Sequence, residues 1–437
     1  MTMSEGVDVD ALWRLADAHL TRYGTAFIRT LVTRAEGATL HTTDGRQILD
    51  FTSGQMCAVL GHNHPAITAA VEEAGASVMH LFSGMLSPDV IRFASELAGL
   101  LPADLQKVLL VTTGSESNEA AIRMAKMHTG GHEVLGLSGS WHGMTAAASA
   151  STYSAGRSGY GPVAPGNMPL PTPNPYRCPV RHCTTTCDMT CLDVGMSLCD
   201  AQSVGRPAAV IVEPILSAGG IVPLPDGYLA RLRDLAHERG MLLIVDEAQT
   251  ALGRTGVLFA FEAHGVVPDI LTLSKTLGAG LPVAATVTSD EVEDDTAEKG
   301  FLHFTSHVSD PLAAKVALAV LEVVAQESLV DAAAARGRRL MDGLLDLQQR
   351  HECIGDVRGA GLLVGVELVT DRDTREPAEE LGTAVTERCL ALGLNLNIVK
   401  FPGMGAVLRI APPMTVTDDE IDRALEILHT ALSTAGA

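Results

Sequence analysis

The chain reads as an α/β protein with a mostly parallel sheet and a second, smaller α+β domain. Between about residues 90 and 290, short apolar runs (VLLVTT, AAVIVEP, LLIVDE, DILTLS) alternate with helical patterns, the arrangement of a sheet covered by helices on both faces. The runs are continuous stretches of apolar residues, as expected of strands buried on both sides. From residue 312 onward the pattern changes to long Ala- and Leu-rich helical stretches followed by three further strand-like runs.

In chain order, residues 1–60 form an N-terminal arm that joins the small domain. An amphipathic stretch there precedes LHTTDGRQILDF, whose Asp44-Gly45 pair between strand-like runs predicts a hairpin. Residues 61–320 form the large domain, with the four apolar strands and a helix marked by Tyr228, Leu229, Leu232, Leu235 and Ala236 before Gly240. A segment rich in Pro, Cys and Thr, beginning at 161 and densest over 171–200, predicts an irregular insertion. Residues 321–437 form the small domain. Residues 312–350 have helical period, GDVRGAGLLVGVEL, LNLNIV and VLRIAPP read as strands, and a capped helix starts at Thr417.

A length of 437 residues with 46% hydrophobic content supports two or three domains with a substantial core. The balance of 31 basic against 52 acidic residues, a formal charge of -21, repels polyanions and excludes a nucleic-acid-binding surface of ordinary type. Small molecules are the expected ligands. No uncharged apolar run of about 18 residues occurs and MTMSEGVDVD has no basic segment leading an apolar one, so no membrane association and a cytoplasmic location are expected. Of eight cysteines, Cys178, Cys183, Cys187, Cys191 and Cys199 crowd one segment while Cys57, Cys353 and Cys389 stand apart. A disulfide framework is not expected in so long a chain without a secretion signal.

The chemistry is concentrated where strands end. Lys275 follows DILTLS and precedes TLGAG, a glycine-bearing turn, and Asp246 ends LLIVDE with Gln249 just beyond. An amine able to form a Schiff base beside an acid able to keep a pyridine nitrogen protonated points to pyridoxal phosphate. Either residue alone reads as an ordinary strand-end charge. A magnesium-binding role for Asp246 in a nucleotide hydrolase requires the phosphate loop GxxxxGK[ST], which is absent. In VTTGSESNEAAIRMAK a strand ends at Thr113, Gly114 and Ser115 and a helix begins. Its free N–H groups and positive end suit a phosphate, although an ordinary serine cap has the same spelling.

Other constellations are weaker. His62 and His64 in GHNHP are two residues apart, a spacing that on a strand would allow metal binding, but the segment reads as a structural turn. Gly359-Ala360-Gly361 is followed by Gly365, one residue too far for GxGxxG, and reads as a close backbone approach. Cys178, Cys183, Cys187 and Cys191 have the spacing C-x4-C-x3-C-x3-C with His182 nearby. We read these as reduced cysteines in a loop, with a zinc or iron–sulfur site as the alternative, since the usual C-x2-C pair is missing.

Taken together, SGQMCAVLGHNHP, TTGSESNEAA, SWHGMT, EPILSAGG, DEAQTALGRTG, TLSKTLGAGLP, VRGAGLLVGVEL and LRIAPP resemble the class III aminotransferases of fold type I, over residues 50–413. Within that family, FTSGQMCAVLGHNHP and SWHGMTAAASASTYSAGR are closest to the 2,2-dialkylglycine decarboxylases, because most other members have tyrosine where Trp141 stands. The resemblance implies a large domain with a mostly parallel seven-stranded sheet. It also implies that Lys275 forms the Schiff base with pyridoxal 5'-phosphate, Asp246 pairs with the pyridine nitrogen and Gln249 bonds the ring hydroxyl. By the same mapping Trp141 stacks on the ring, Gly114 and Ser115 hold the phosphate, and Ser306, standing for a threonine, reaches the phosphate across a dimer interface.

For the substrate, the resemblance makes Arg409 the clamp of a carboxylate, Gln55 the holder of the carboxylate to be lost, and Trp141 with Met144 an apolar side-chain pocket. It implies an alkali cation, potassium or sodium, at Leu81, Ser83, Ser306, Val308 and Asp310, and a homodimer or dimer of dimers with its site at the interface. The implied reaction is decarboxylation of a 2,2-dialkylglycine such as 2-aminoisobutyrate, coupled to transamination of a keto acid such as pyruvate. The alternative is transamination of an amine or ω-amino acid without loss of carbon dioxide. One departure stands out: Ala218 occupies the place of a second serine expected in the decarboxylases, and Ser217 is the neighbouring hydroxyl.

Overall fold

The computed structural model describes residues 8–24, 26–155, 157–183, 186–400 and 403–435. Its large sheet has seven strands: β1 Lys107–Val111, β2 Glu133–Leu137, β3 Asn167–Leu170, β4 Pro207–Val212, β5 Leu242–Asp246, β6 Ile270–Leu273 and β7 Ala284–Thr288. They lie in the order β1-β7-β6-β5-β4-β2-β3. Neighbours from β6 through β5, β4 and β2 to β3 are parallel, whereas β7 runs antiparallel to both β6 and β1. Six strands therefore end on the same edge, where ligands of open α/β sheets bind. β7 runs the other way, so the residues leading into it reach that edge too. β2, β6 and β7 are buried along their whole length, as expected of strands covered on both faces.

β2, β3 and β7 (EVLGL, NMPL, AATVT) carry too few large apolar residues to stand out in the sequence. The expected irregular insertion is shorter than predicted, because β3 is an edge strand and Thr190–Gln202 is a helix, α2. Its buried residues Cys191, Leu192, Gly195, Met196 and Cys199 fall on one face. Two of them are cysteines acting as small hydrophobes, so the composition that suggested a loop concealed a helical period.

The helix opening the site, α1 Gly114–Thr129, starts directly after β1 and carries a capping box in which Thr113 accepts from the Glu116 N–H. The helical stretch near residue 320 is two helices, α3 Pro311–Gln326 and α4 Leu329–Arg350. Beyond them β8 Ile354–Ala360, β9 Leu363–Asp371, β10 Asn397–Val399 and β11 Ala406–Ile410 form an antiparallel sheet in the order β8-β9-β11-β10. The last helix, α5 Asp418–Thr434, has Thr417 as its cap, reciprocated by Glu420. The N-terminal hairpin forms as expected, Thr39–Thr42 against Gln47–Asp50, and its second strand pairs in parallel with Leu394–Asn395.

Two features lock the halves together. Arg254, fully buried, donates to the carbonyls of Pro412 and Leu362. At Gly361, with φ of +54°, a Cβ would lie 2.5 Å from the Thr255 carbonyl carbon, so only glycine lets the β8–β9 turn approach that loop. His62 bonds Asp50 through Nε2 at 2.8 Å and His64 caps the helix Pro65–Ala76, so the GHNHP turn is structural. Among the described residues no helix is long and apolar enough to cross a membrane.

Candidate active site

The edge formed by the strand ends holds a cavity of about 270 Å³ lined by Gly114, Ser115, Asn118, Trp141, His142, Asp246 and Lys275, among others. Lys275 opens a short 3-10 turn, Lys275–Gly278, with φ of +33°. A non-glycine residue at positive φ is strained and is held there by its surroundings. The turn directs the amine into the cavity rather than along β6.

Asp246, the last residue of β5, is 3% exposed. Its Oδ2 accepts from Asn118 Nδ2 at 2.8 Å and contacts His142 Nδ1 at 2.8 Å, while Oδ1 accepts from the Ala248 N–H at 3.0 Å. Burial raises its proton affinity, but the His142 bond, the Lys275 charge and the Asn118 bond outweigh it and hold the carboxyl below the usual range. Asn118 is itself fixed, donating to the His142 carbonyl and accepting from Thr272 Oγ1 at 2.7 Å. The result is a buried ionised carboxylate with a rigid orientation. His142 Nε2 is also buried and has no partner among the described residues.

Gly114 and Ser115 line the same cavity. A Cβ on residue 114 would meet Ser274 Oγ at 2.6 Å, and one on Gly143, whose φ is +127°, would meet Ser115 Oγ at 2.2 Å. Both glycines are required by close packing. Ser115 Oγ accepts from the Met144 N–H at 3.1 Å, which leaves its hydroxyl proton for a ligand. The open N–H groups of the first turn of α1 complete an anion cradle. A buried carboxylate, an amine and an anion cradle around one cavity match a phosphorylated pyridine aldehyde.

A second cavity, of about 170 Å³, is lined by Gln55, Met56, Asn397 and Arg409 with neighbours from both ends of the chain. Asn397 and Arg409 are register partners on β10 and β11, so their side chains share a face. Arg409 donates through Nε and Nη2 to Asn397 Oδ1 at 3.0 and 2.8 Å. It is 8% exposed, and burial lowers its pKa to about 10, still a cation at neutral pH. Among the described residues it forms no salt bridge with a carboxylate. A buried guanidinium in direct contact with no carboxylate is a strong site for an incoming one.

The sequence-predicted residues thus divide. Lys275, Asp246, Gly114, Ser115 and Trp141 converge on the first cavity; Gln55 and Arg409 share the second, with residues 55–57 between the two. Gln55 faces Arg409's cavity, not the one that holds Lys275. Gln249 lies beside the first cavity, its Oε1 accepting from Ser217 Oγ at 2.7 Å. That bond also commits the Ser217 hydroxyl, so it does not replace the one missing at Ala218.

Met144 is 49% exposed and lines neither cavity, and its backbone amide donates to Ser115 Oγ. Ser306 is exposed and lines neither cavity. The expected cation positions lie on two adjoining segments, joined by Ser83 Oγ donating to the Thr305 carbonyl at 3.0 Å. However, the two Asp310 oxygens are bonded to His80 Nδ1 at 2.6 Å and His307 Nδ1 at 2.5 Å. Each Asp310 oxygen keeps a second lone pair beside its imidazole.

Sequence reasoning missed Asn118, His142 and Glu213. All three lie inside motifs already noted, but their partners Asp246 and Trp141 are 72 to 128 residues away. Glu213, fully enclosed after β4, accepts from the Trp141 N–H at 2.9 Å and so fixes the backbone of the expected stacking residue. Burial, partly offset by His142 and reinforced by Asp246, pushes its pKa up to about 7.

Comparison with known proteins agrees with this geometry. The family described as aminotransferase class-III matches residues 21–432. An uncharacterized aminotransferase of Schizosaccharomyces pombe is 49% identical over 428 residues, covering 98% of this chain and 96% of its own. The 5-aminovalerate aminotransferase of Pseudomonas aeruginosa is 34% identical over 409 residues, 90% of this chain and 91% of its own. The crystal structure of a Bacillus anthracis aminotransferase superposes with a TM-score of 0.91 at 28% identity, covering 97% of this chain and 98% of that one. With its lysine, buried aspartate and anion cradle at the strand ends, the chain belongs to the class III aminotransferases, enzymes of fold type I whose cofactor is pyridoxal phosphate.

Proposed function

We propose that this enzyme removes carbon dioxide from 2,2-dialkylglycines such as 2-aminoisobutyrate and passes the amino group to a small 2-keto acid such as pyruvate. The observation that carries this reading is the pairing of Gln55 with the unpaired, buried Arg409 in a cavity next to the one holding Lys275. Two carboxylates must be handled, one retained and one lost. A bidentate guanidinium suits the retained carboxylate of the keto acid, and a neutral amide suits one that must leave.

Bound pyridoxal phosphate supplies an electron sink conjugated to the substrate α-carbon. Asp246 holds a proton on the pyridine nitrogen, kept anionic for this by His142 and Asn118. Gly114 and Ser115 would hold the phosphate, Trp141 would pack on the ring, and Gln249 would offer its amide N–H to the ring hydroxyl. Lys275 Nζ carries the proton to and from the reacting carbon. Gln55 would hold the carboxylate to be lost and Arg409 the one retained.

A second reading, transamination of an amine or ω-amino acid without loss of carbon dioxide, is favoured by Ala218 and by the commitment of Ser217 to Gln249. With neither hydroxyl available, one hydrogen bond to a departing carboxylate is missing, worth about 1.5–3 kcal/mol. Incubating the enzyme with 2-aminoisobutyrate and pyruvate separates the two. The first reading expects acetone, carbon dioxide and alanine in equal amounts; alanine formed only from ω-amino acids or amines overturns it.

We also propose a homodimer or dimer of dimers. Exposed Phe82, Met85, Leu86 and Phe304 cluster near the segment carrying Ser306, with Phe82 and Phe304 centroids 6.2 Å apart, and an apolar patch of this kind marks an interface. Light scattering at micromolar concentration tests it, a monomer being the contrary result. The same reading places potassium or sodium among Leu81, Ser83, Ser306, Val308 and Asp310, tested by comparing rates in potassium, sodium and lithium salts.

A further inference from the structure

The insertion between β3 and α2 is not used by the chemistry above, yet with the first turn of α2 it carries four of the chain's eight cysteines. Cys178, Cys183 and Cys187 lie on the irregular stretch and are half-buried; Cys191, in the first turn of α2, is buried. The Cys183 thiol donates to Asp188 Oδ1 at 3.8 Å. The backbone N–H groups of His182 and Cys183 both point at Cys178 Sγ, each at 3.3 Å. Two amides converging on one sulfur stabilise a thiolate, as the outer hydrogen bonds of metal-bound cysteines do. The one imidazole in the loop is engaged elsewhere, His182 Nε2 meeting Asp188 Oδ2 at 2.7 Å. Four sulfur donors remain.

We propose that Cys178, Cys183, Cys187 and Cys191 form a structural zinc site of four thiolates. Four soft sulfur donors in one loop are the closed tetrahedral set that zinc takes in structural sites, with no position left for a substrate. Among the described residues only His80, His307 and Asp310 bring three ligand atoms within 4.8 Å of one another, so the four sulfurs stand wider than in a loaded site. Binding therefore draws them to about 3.8 Å apart, set by a Zn–S distance of about 2.3 Å. It releases four protons, one per thiol, and leaves a net charge of two minus on the metal and its ligands. No oxidant or reductant is needed.

The position gives the site a purpose. Tyr176 and Arg177, just before Cys178, reach the small domain: Arg177 pairs with Glu367 on β9 and donates to the Arg375 carbonyl at 2.7 Å, and Arg375 donates to the Tyr176 carbonyl. Glu367 also pairs with Arg358, which donates to the carbonyls of Gly220 and Ile221 in the large domain. β9 is the neighbour of β11, which carries Arg409. A metal that stiffens the insertion holds one end of the strap binding the Arg409 sheet to the cofactor domain.

The test uses the full chain, expressed with zinc, purified under a thiol reductant and analysed for metals by plasma mass spectrometry. The expected result is about one zinc per chain, falling at least about tenfold in Cys183→Ser and Cys187→Ser and unchanged in Cys353→Ser, which lies outside the loop. Replacement of zinc by cobalt(II) in the unaltered chain gives intense thiolate-to-cobalt absorption, a readout that does not depend on any variant folding. A zinc-free chain that also fails to bind added zinc or cobalt overturns the proposal. So do zinc retained by both serine variants, iron with inorganic sulfide in place of zinc, and disulfides among the four cysteines.

Discussion

The buried carboxylate of Asp246 depends on two neighbours, and their loss has a measurable scale. Asn118→Ala removes one hydrogen bond to a charged acceptor, worth about 1.5–3 kcal/mol, so kcat is expected to fall about 10- to 150-fold with the cofactor still bound. A visible spectrum of the bound cofactor together with steady-state rates checks this. Lys275→Ala is expected to lower the rate by about 10²–10⁴-fold or more, since the positioned proton carrier disappears, and to prevent fixation of the chromophore by borohydride. Glu213 predicts a pH effect. Its folded pKa of about 7 lies above the model-compound value of 4.5, so between these values the folded state holds a proton that the unfolded state has lost. Its contribution to stability is therefore fullest below about 4.5 and is lost as pH rises through 7. Thermal unfolding of Glu213→Gln should show a flatter profile across that window; an identical profile removes Glu213 as the cause.

At the scale of elements, the site is a set of strand ends and one helix start. The Gly143 turn and the α1 N-terminus are packed so closely that a methyl group on residue 143 would lie 2.2 Å from Ser115 Oγ. Gly143→Ala must move Ser115 or distort a residue at positive φ. The expected outcome is a rise of at least about tenfold in the cofactor dissociation constant, about 1.4 kcal/mol, with little change in secondary structure by circular dichroism. Much of this level was legible in advance. The four strong strands, the Asp44-Gly45 hairpin and the Thr417 cap follow from apolar runs and turn chemistry that act over a few residues. The helix Thr190–Gln202 was not legible, because cysteines and threonines there resemble a loop in composition while their spacing alone reveals a buried face.

At the scale of the molecule, the small sheet is joined to the cofactor domain by Arg254, by the close approach at Gly361 and by Glu367 between Arg177 and Arg358. Glu367 is fully buried, and removing one partner of a buried ion pair costs about 3–5 kcal/mol. Glu367→Gln should therefore lower Tm by several degrees and raise KM for the keto acid, because β9 supports the strand carrying Arg409. Loss of stability without any change in KM would separate the strap from the substrate site.

The sequence by itself determined the alternation of strands and helices, the amine and acid at strand ends, and the anion cradle at the start of α1. Each is written in a short segment by local pattern. Only the tertiary structure decided that Asn118 and His142 hold Asp246, that Ser217 is committed to Gln249, that Met144 lines neither cavity, and that Gln55 faces Arg409 rather than Lys275. Those outcomes are contacts between segments tens to hundreds of residues apart. Their geometry is set by how the elements pack, and a linear pattern carries no record of it.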